Sequence, residues 1–127
     1  MNKPKKQSPR PFPHYGEIYL VYFNPKKGKE VGKLRPALVI SNDIQNEYDE
    51  WVAVVPITTE DIKIIEPFEI FVRNTPKTGL DYPSKIQFIY PFTIDRERLK
   101  EYLGTTSRKI MEQAKRAWKI AFDVEEW

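Results

Sequence analysis

The chain of 127 residues contains no cysteine and only one histidine, and both shortages limit its chemistry. Without cysteine there is no disulfide, no thiol nucleophile and no zinc site with sulfur ligands. With His14 as the only imidazole, a metal centre built on two or three histidines is excluded. A catalytic triad that uses histidine as its base would have to use this residue. We therefore expect no metal and no other cofactor.

Long apolar runs are also missing. No stretch approaches the roughly 20 residues that span a bilayer, and the first residues lack the apolar core of a secretory signal. We therefore predict a cytoplasmic protein that makes no membrane contact. The length corresponds to one domain.

Acidic residues are absent from the first 14 positions, where four basic residues and four prolines occur. This segment contributes +4, whereas the whole chain has a net charge of +3. The other residues therefore sum to −1, which is close to neutral. Such a composition buries too little apolar area to offset the entropy lost on ordering. We predict a flexible basic tail over 1–14 and one domain over 15–127. The tail is interpreted as a solvated extension, with an electrostatic arm for RNA as the alternative.

Five segments have the composition of β-strands, being rich in β-branched and aromatic residues between turn residues. They are residues 17–23, 34–40, 51–57, 67–72 and 85–89. Residues 41–50 are interpreted as a polar connection and residues 95–100 as a short helical turn. From Ser107 onward apolar residues recur every three or four positions, which predicts an amphipathic helix with Ser107 as N-cap. We expect a mainly β protein, a small curved antiparallel sheet or barrel closed by this helix.

The side chains available for catalysis are arginine, lysine, carboxylates and hydroxyls, which suit phosphate chemistry. RNA brings its own nucleophile, the 2′-hydroxyl, so an enzyme needs to align it, move protons and stabilise developing charge. Arg35 fits the stabilising role, because it follows a basic loop and Pro36 favours an extended backbone there. Thr58 and Thr59 end the strand over 51–57, where a hydroxyl can meet a phosphate. An ordinary surface role is the alternative for each of these residues.

Several motifs together resemble a known family in their order and spacing. The sequence reads Gly-Glu-Ile-Tyr-Leu at 16–20, Leu-Arg-Pro-Ala-Leu-Val-Ile at 34–40, Val-Pro-Ile-Thr at 55–58 and Thr-Ile-Asp-Arg-Glu-Arg-Leu at 93–99. With the intervening glycine-containing loop, these motifs are similar to those of the MazF/PemK toxins. The resemblance runs from about residue 16 to about residue 123.

This resemblance implies an SH3-like antiparallel barrel of five to seven strands, shared with CcdB-type toxins, and a homodimer. It also implies a metal-independent endoribonuclease that cuts single-stranded mRNA at specific sequences and is held in check by an acidic MazE-like antitoxin. The products would be a 2′,3′-cyclic phosphate and a 5′-hydroxyl. In such toxins the arginine of the Arg-Pro motif and the threonine of the Pro-Ile-Thr motif are the catalytic pair, here Arg35 and Thr58.

Further residues are expected to bind the RNA, and Glu30 is in addition a candidate proton acceptor. The expected substrate-binding residues are Lys29, Glu30, Lys33, Asn42 and Thr59. The lysines belong to a loop that gathers positive charge before Arg35, which also suits an acidic antitoxin segment.

The sequence departs from the family just before residue 93. Family members often carry an acid, a glutamine and an arginine where this chain has Ile89, Tyr90 and Phe92. The missing acid leaves the proton acceptor unassigned and the cleavage sequence unpredicted. The two aromatic residues are interpreted as core packing, with stacking on RNA bases as the alternative.

Two other functions compete with the ribonuclease. A CcdB-like protein of the same fold would poison a topoisomerase without cutting RNA, but the presence of Arg35 and Thr58 argues against this function. A binding module that has lost catalysis is supported by the missing acid.

Overall fold

The protein is described by a computed structural model that covers residues 8–23 and 33–124. These residues form seven strands, two α-helices and one 3₁₀ turn. In chain order they are β1 (Glu17–Phe23), β2 (Lys33–Val39), α1 (Asp43–Tyr48), β3 (Trp51–Thr58), β4 (Glu69–Val72), β5 (Ser84–Gln87), β6 (Phe92–Asp95), the 3₁₀ turn (Arg96–Arg98), β7 (Leu99–Thr105) and α2 (Arg108–Ala121). Neither α-helix in this part of the chain is long and apolar enough to cross a membrane.

Every ladder of the sheet is antiparallel, and β3 lies at its centre. The strand order is β4, β5, β3, β2, β1, β7. On the edge of β3 that β2 leaves open, Trp51–Val54 pair with β6 and the last two residues pair with β5. β3 therefore pairs with three strands. β2 lies along one edge, and β6 and β5 pair with the first and the second half of the other edge.

The inner surface of the sheet encloses a small apolar cluster that consists of Tyr19, Val21, Ala37, Val39, Val52, Val54 and Ile94. The rings of Phe23 in β1 and Phe92 in β6 meet edge to face at 5.3 Å. In a flat sheet these strands, three positions apart, would be about 14 Å from each other. The sheet therefore curves into a barrel, as predicted. β6 leads into β7 through the 3₁₀ turn. β6 pairs with β3 and β7 pairs with β1, and no ladder among the described residues joins β6 to β7.

The outer surface of the sheet packs against the C-terminal helix. Ile18, Leu38 and Val55 belong to this second cluster, together with Met111 and Ala114 of α2. The Ser107 hydroxyl accepts the Ile110 N–H at 3.1 Å, which confirms the predicted helix and its N-cap. Both faces of the central strands are thus buried, so a residue of β2 or β3 is exposed only where its strand leaves the barrel.

The structure corrects two local predictions. Residues 41–50 are not only a connection, because α1 forms there with the Asn42 side chain accepting the Gln45 N–H at 2.8 Å. The turn predicted over 95–100 shrinks to Arg96–Arg98, and β7 begins directly after it. Both errors concern short segments whose structure depends on neighbours distant in sequence.

The described part of the N-terminal segment packs against β1. Pro13 is buried, and the rings of Phe12 and His14 stack at 4.3 Å. The His14 backbone N–H donates to Glu17 Oε1 at 2.6 Å, and the same oxygen accepts the Tyr19 hydroxyl at 3.0 Å. The flexible tail predicted over 1–14 therefore lies partly outside the described residues, while residues 8–14 contact the barrel.

Deleting residues 1–14 should lower the free energy of unfolding, because the buried Glu17 carboxylate loses a donor and Pro13 no longer covers the sheet. A lost hydrogen bond to a buried group costs about 1–3 kcal/mol. Urea denaturation measures this effect in three proteins: the full chain, the chain without residues 1–7 and the chain without residues 1–14. The shorter truncation is the control because it keeps these contacts, and equal stability of both truncated proteins would contradict the prediction.

A second prediction concerns alkaline pH. Burial raises the pKa of Tyr19, and it raises that of Tyr102, whose ring meets Tyr19 edge to face. Since the folded state favours the neutral phenol, stability should be fully present below the unfolded pKa of about 10 and fall as the pH rises further. Tyr19→Phe should flatten this fall, whereas Tyr82→Phe at an exposed position should not. Urea midpoints compared between about pH 8 and about pH 11 test this prediction, and parallel curves for all three proteins would refute it.

Candidate functional site

Arg35 and Thr58 lie just beyond the last paired residues of two neighbouring strands. In the β1–β2 ladder Arg35 pairs with Val21, and the β2–β3 ladder pairs Ala37 with Pro56. Arg35 and Thr58 each come two residues beyond this last pair, and Thr58 pairs instead with Lys85 of β5. Alternate residues of a strand share a face, so both side chains belong to the inner face of the barrel. Arg35 is exposed and Thr58 half-buried, which puts the pair at the rim.

Two prolines mark the point where β2 and β3 separate. Pro36 directly precedes the part of β2 that pairs with β3, and Pro56 is the last residue of β3 in that ladder. Proline has no N–H to donate, so the ladder loses donors at this point. The rim is consequently open beside Arg35 and Thr58, and a phosphate can approach both side chains.

The Thr58 hydroxyl has a defined orientation. Its Oγ1 accepts the Glu60 backbone N–H at 3.1 Å. A hydroxyl that accepts a hydrogen bond keeps its own hydrogen for donation. Thr58 therefore presents a neutral donor on the same face as the permanent positive charge of Arg35, and this combination suits an oxyanion.

An aromatic pair lies on the same face of the barrel. Phe23 is two residues beyond Val21, the partner of Arg35, and its ring meets that of Phe92. Phe92 is 44% exposed and Tyr90 is 54% exposed. The interpretation of both residues as core packing is therefore wrong, and Phe92 offers a ring face at the rim. Only the alternation from Val21 to Phe23 signals this arrangement in the sequence.

The remaining predicted site residues are distributed unevenly. Thr59 is exposed next to Thr58, and Lys33 begins β2, although its side chain is not described. Lys29 and Glu30 lie outside the described residues. Asn42 follows the far end of β2, where its side chain caps α1. The structure thus places Arg35, Thr58 and Thr59 at one rim and does not bring Asn42 to it.

The described residues offer no obvious metal site, since no group of three or more histidines, aspartates or glutamates comes together among residues 8–23 and 33–124.

Arg98, from the motif at 93–99, contacts β1 and not the rim residues Arg35 and Thr58. Its Nη1 donates to the Tyr22 carbonyl at 3.3 Å and its guanidinium lies 5.8 Å from the centre of the Tyr22 ring. It anchors the end of β1, next to the residue that pairs with Arg35.

Comparison with known proteins identifies the family. Residues 14–122 match the model of the PemK-like, MazF-like toxins of type II toxin–antitoxin systems. The chain is also 35% identical over 106 residues to an endoribonuclease MazF from Staphylococcus saprophyticus, which covers 84% of this chain and 88% of that protein. The chain belongs to the PemK/MazF toxin family. The resemblance carried by the Arg-Pro and Pro-Ile-Thr motifs is thereby confirmed.

Solved structures of toxins of this family have the same fold. The Mycobacterium tuberculosis toxin MazF-mt6 is 23% identical, with a TM-score of 0.72 over 87% of this chain and 99% of that one. A MazE–MazF crystal structure from Deinococcus radiodurans is 21% identical, with a TM-score of 0.73 over 89% and 97%. At this identity the likeness concerns the fold, and it confirms the prediction of a small barrel with a C-terminal helix.

Proposed function

We propose that this toxin is a metal-independent endoribonuclease that cleaves single-stranded RNA, in particular mRNA, in the cytoplasm. The observation that carries the proposal is that Arg35 and Thr58 lie on the same face of the barrel, just beyond the last paired residues of β2 and β3. A charged fork and an oriented hydroxyl on one face match the needs of phosphate chemistry. The name of the relative from Staphylococcus saprophyticus, an endoribonuclease, supports the reaction class.

In the proposed reaction the 2′-oxygen of the RNA attacks the adjacent phosphorus, and the bond from phosphorus to the 5′-oxygen breaks. The 2′-hydroxyl gives up a proton and the 5′-oxygen gains one, which leaves a 2′,3′-cyclic phosphate and a 5′-hydroxyl. Arg35 binds two non-bridging oxygens through its planar fork. Thr58 donates its hydroxyl hydrogen to the same phosphate. Both groups stabilise charge that is largest in the transition state.

The proton acceptor is the least defined part of the proposed mechanism. The family's acid is replaced by Ile89, which is half-buried and cannot take a proton. Glu30 remains the candidate from the loop before Arg35. The substrate-binding roles proposed for Lys29, Lys33 and Thr59 rest on the same loop and rim, whereas Asn42 is proposed only as a more distant contact because it lies at the other end of β2.

We further propose an acidic MazE-like antitoxin and a homodimer as the partners of this toxin. The antitoxin is supported by two structural relatives, a mycobacterial endoribonuclease in complex with its cognate antitoxin and the Deinococcus MazE–MazF complex. The homodimer rests on the family resemblance. The basic residues before β2 provide charge complementary to an acidic segment, which would order on binding.

A non-catalytic binding module is the second candidate, since Ile89 replaces the family's acid and Phe92 its arginine. The same barrel would then bind RNA without cutting it. A topoisomerase poison of the CcdB kind would leave RNA intact as well. Sequencing the 5′ ends left after incubation of the purified toxin with a long RNA separates the ribonuclease from both alternatives.

Cleavage should need no divalent ion, because the described residues bring together no ligand set and RNA supplies the nucleophile. Cleavage of a labelled oligonucleotide should proceed at the same rate in excess chelator and in magnesium. A rate that vanishes with chelator and returns with magnesium would contradict this mechanism.

Replacing Arg35 should slow cleavage more than it weakens RNA binding. Arg35→Lys keeps the charge but loses the two-point contact, so it should fail nearly as badly as Arg35→Ala. Loss of one such group typically costs about 10²- to 10³-fold in rate. Thr58→Ala should have a milder effect, because a neutral hydroxyl contributes less than a charged donor. Single-turnover cleavage at saturating enzyme measures the rate loss of the Arg35 and Thr58 variants.

The matched control for these variants is Arg108→Ala, because Arg108 begins α2 on the outer surface of the sheet and its side chain is 94% exposed. Circular dichroism verifies that each variant is folded. An Arg35→Ala protein that cuts within a few-fold of the parent would exclude the catalytic role and favour the binding module.

A further inference from the structure

A buried ion pair lies directly beside Thr58. Lys85 Nζ is 3.0 Å from Glu69 Oε1, and the two side chains are 7% and 5% exposed. Lys85 is the cross-strand partner of Thr58 in the β3–β5 ladder, and Glu69 begins β4 on the far side of β5. Charges are rarely buried at such depth unless each is paired and hydrogen-bonded.

The Lys85 ammonium binds more than its carboxylate. It donates to the Asp61 carbonyl at 3.2 Å and to the Ile64 carbonyl at 3.1 Å. With Glu69, these contacts use all three hydrogens of the ammonium. Glu69 Oε1 also accepts the Glu66 N–H at 3.0 Å. The ion pair therefore fastens the segment 61–66 at three points.

This segment is the continuation of the site strand. Glu60, which donates to the Thr58 hydroxyl, directly precedes Asp61, whose carbonyl Lys85 binds. Asp61 has a φ of 52°, a left-handed conformation that is uncommon outside glycine, although aspartate adopts it more readily than most residues. The Lys85 contact constrains this residue. The direction of the Glu60 N–H is thus coupled to the ammonium through one short turn.

An apolar pair of similar volume would fill the same space without loss of stability in many proteins. It would not bind two carbonyls, because only a group with several donors satisfies them together. Lysine at position 85 therefore does something that packing alone does not require, namely holding the turn that follows Thr58.

We propose that Lys85 is a positioning residue for Thr58. Paired with Glu69, it fixes the turn at Asp61, so that the Glu60 N–H holds the Thr58 oxygen and aims its hydrogen at the rim. This inference rests on the proposed catalytic role of Thr58 and adds the group that orients it. Lys85 itself does not touch RNA, since it is buried behind the rim.

A double-mutant cycle tests the coupling. The variants are Lys85→Met, Thr58→Ala and the double variant, each measured by single-turnover cleavage at saturating enzyme and by RNA affinity. Lys85→Met should slow cleavage about 10-fold or more, as expected for a displaced catalytic group, and change the dissociation constant less than about 2-fold. In the Thr58→Ala background the same change should slow cleavage less than about 2-fold further.

Val72→Ala is the matched control. Val72 is buried in β4 and pairs with Ser84, so its loss weakens the same sheet without touching the Asp61 turn. It should lower the urea midpoint but leave the cleavage rate of the folded protein unchanged. If Val72→Ala slowed cleavage as much as Lys85→Met at equal stability, Lys85 would have only a structural role.

Amide hydrogen exchange gives a readout that is independent of catalysis. The Glu60 amide should exchange at least about 10-fold faster in Lys85→Met than in the parent, because its acceptor is no longer held. Should Lys85→Met fail to fold, Lys85→Arg serves instead, and its displaced guanidinium should speed Glu60 exchange while the pair with Glu69 persists.

The outcomes separate this inference from the proposed function. Equal rate losses from Lys85→Met in both backgrounds, or an unchanged Glu60 amide, would overturn the positioning role. If Thr58→Ala cleaves like the parent while Lys85→Met still releases the Glu60 amide, the catalytic role of Thr58 is wrong. Three results together support the inference. Lys85→Met cleaves slowly, the same change has little further effect in the Thr58→Ala background, and the Glu60 amide exchanges faster in Lys85→Met than in the parent.

Discussion

The structure depends on the curvature of the sheet around β3. Val52 and Val54 of this strand face the inner cluster, while Val55 and Ile57 face the outer one. A slip of one residue along β3 would exchange the side chains that face the two clusters and disrupt the packing of both. Because β2 occupies one edge and both β5 and β6 occupy the other, this register fixes four strands at once. The Phe23–Phe92 contact follows from that constraint, since it needs a strongly curved sheet.

The same constraint explains the position of the site. Inside the barrel the alternation along β2 and β3 buries Ala37, Val39, Val52 and Val54. Arg35 and Thr58 are the next inward positions after Ala37 and Pro56. They therefore reach the solvent while their strands remain anchored. A guanidinium held by a rigid strand needs little reorganisation to meet charge on a phosphate, which is the advantage of preorganised electrostatics.

Features that depend on neighbouring residues in the sequence were predicted well. The bounds of β1 and the Ser107 N-cap follow from composition and capping. The pair Arg35 and Thr58 came from the family resemblance, and its role stays a prediction. By contrast, β7 carries charged residues, and Gly104 is required there because a Cβ would lie 2.1 Å from the Lys77 carbonyl oxygen. Its strand conformation comes from pairing with β1, across a bulged ladder. The Lys85–Glu69 pair was missed for the same reason, since sequence spacing does not reveal contacts between strands.

The exchange of a cation for an aromatic ring at Phe92 changes what the rim can select. Phosphate contacts by arginine are indifferent to sequence and weaken with salt, whereas an exposed ring binds the face of a base. Stacking contributes about 1–3 kcal/mol per base, which is comparable to one charged contact. In the proposed mechanism Phe92 would offset the lost charge without restoring it, and Arg35 would be the charge among the described rim residues that acts on the phosphate. In the proposed ribonuclease, charge would serve mainly the transition state, and RNA affinity would rest more on the bases next to the cleaved bond.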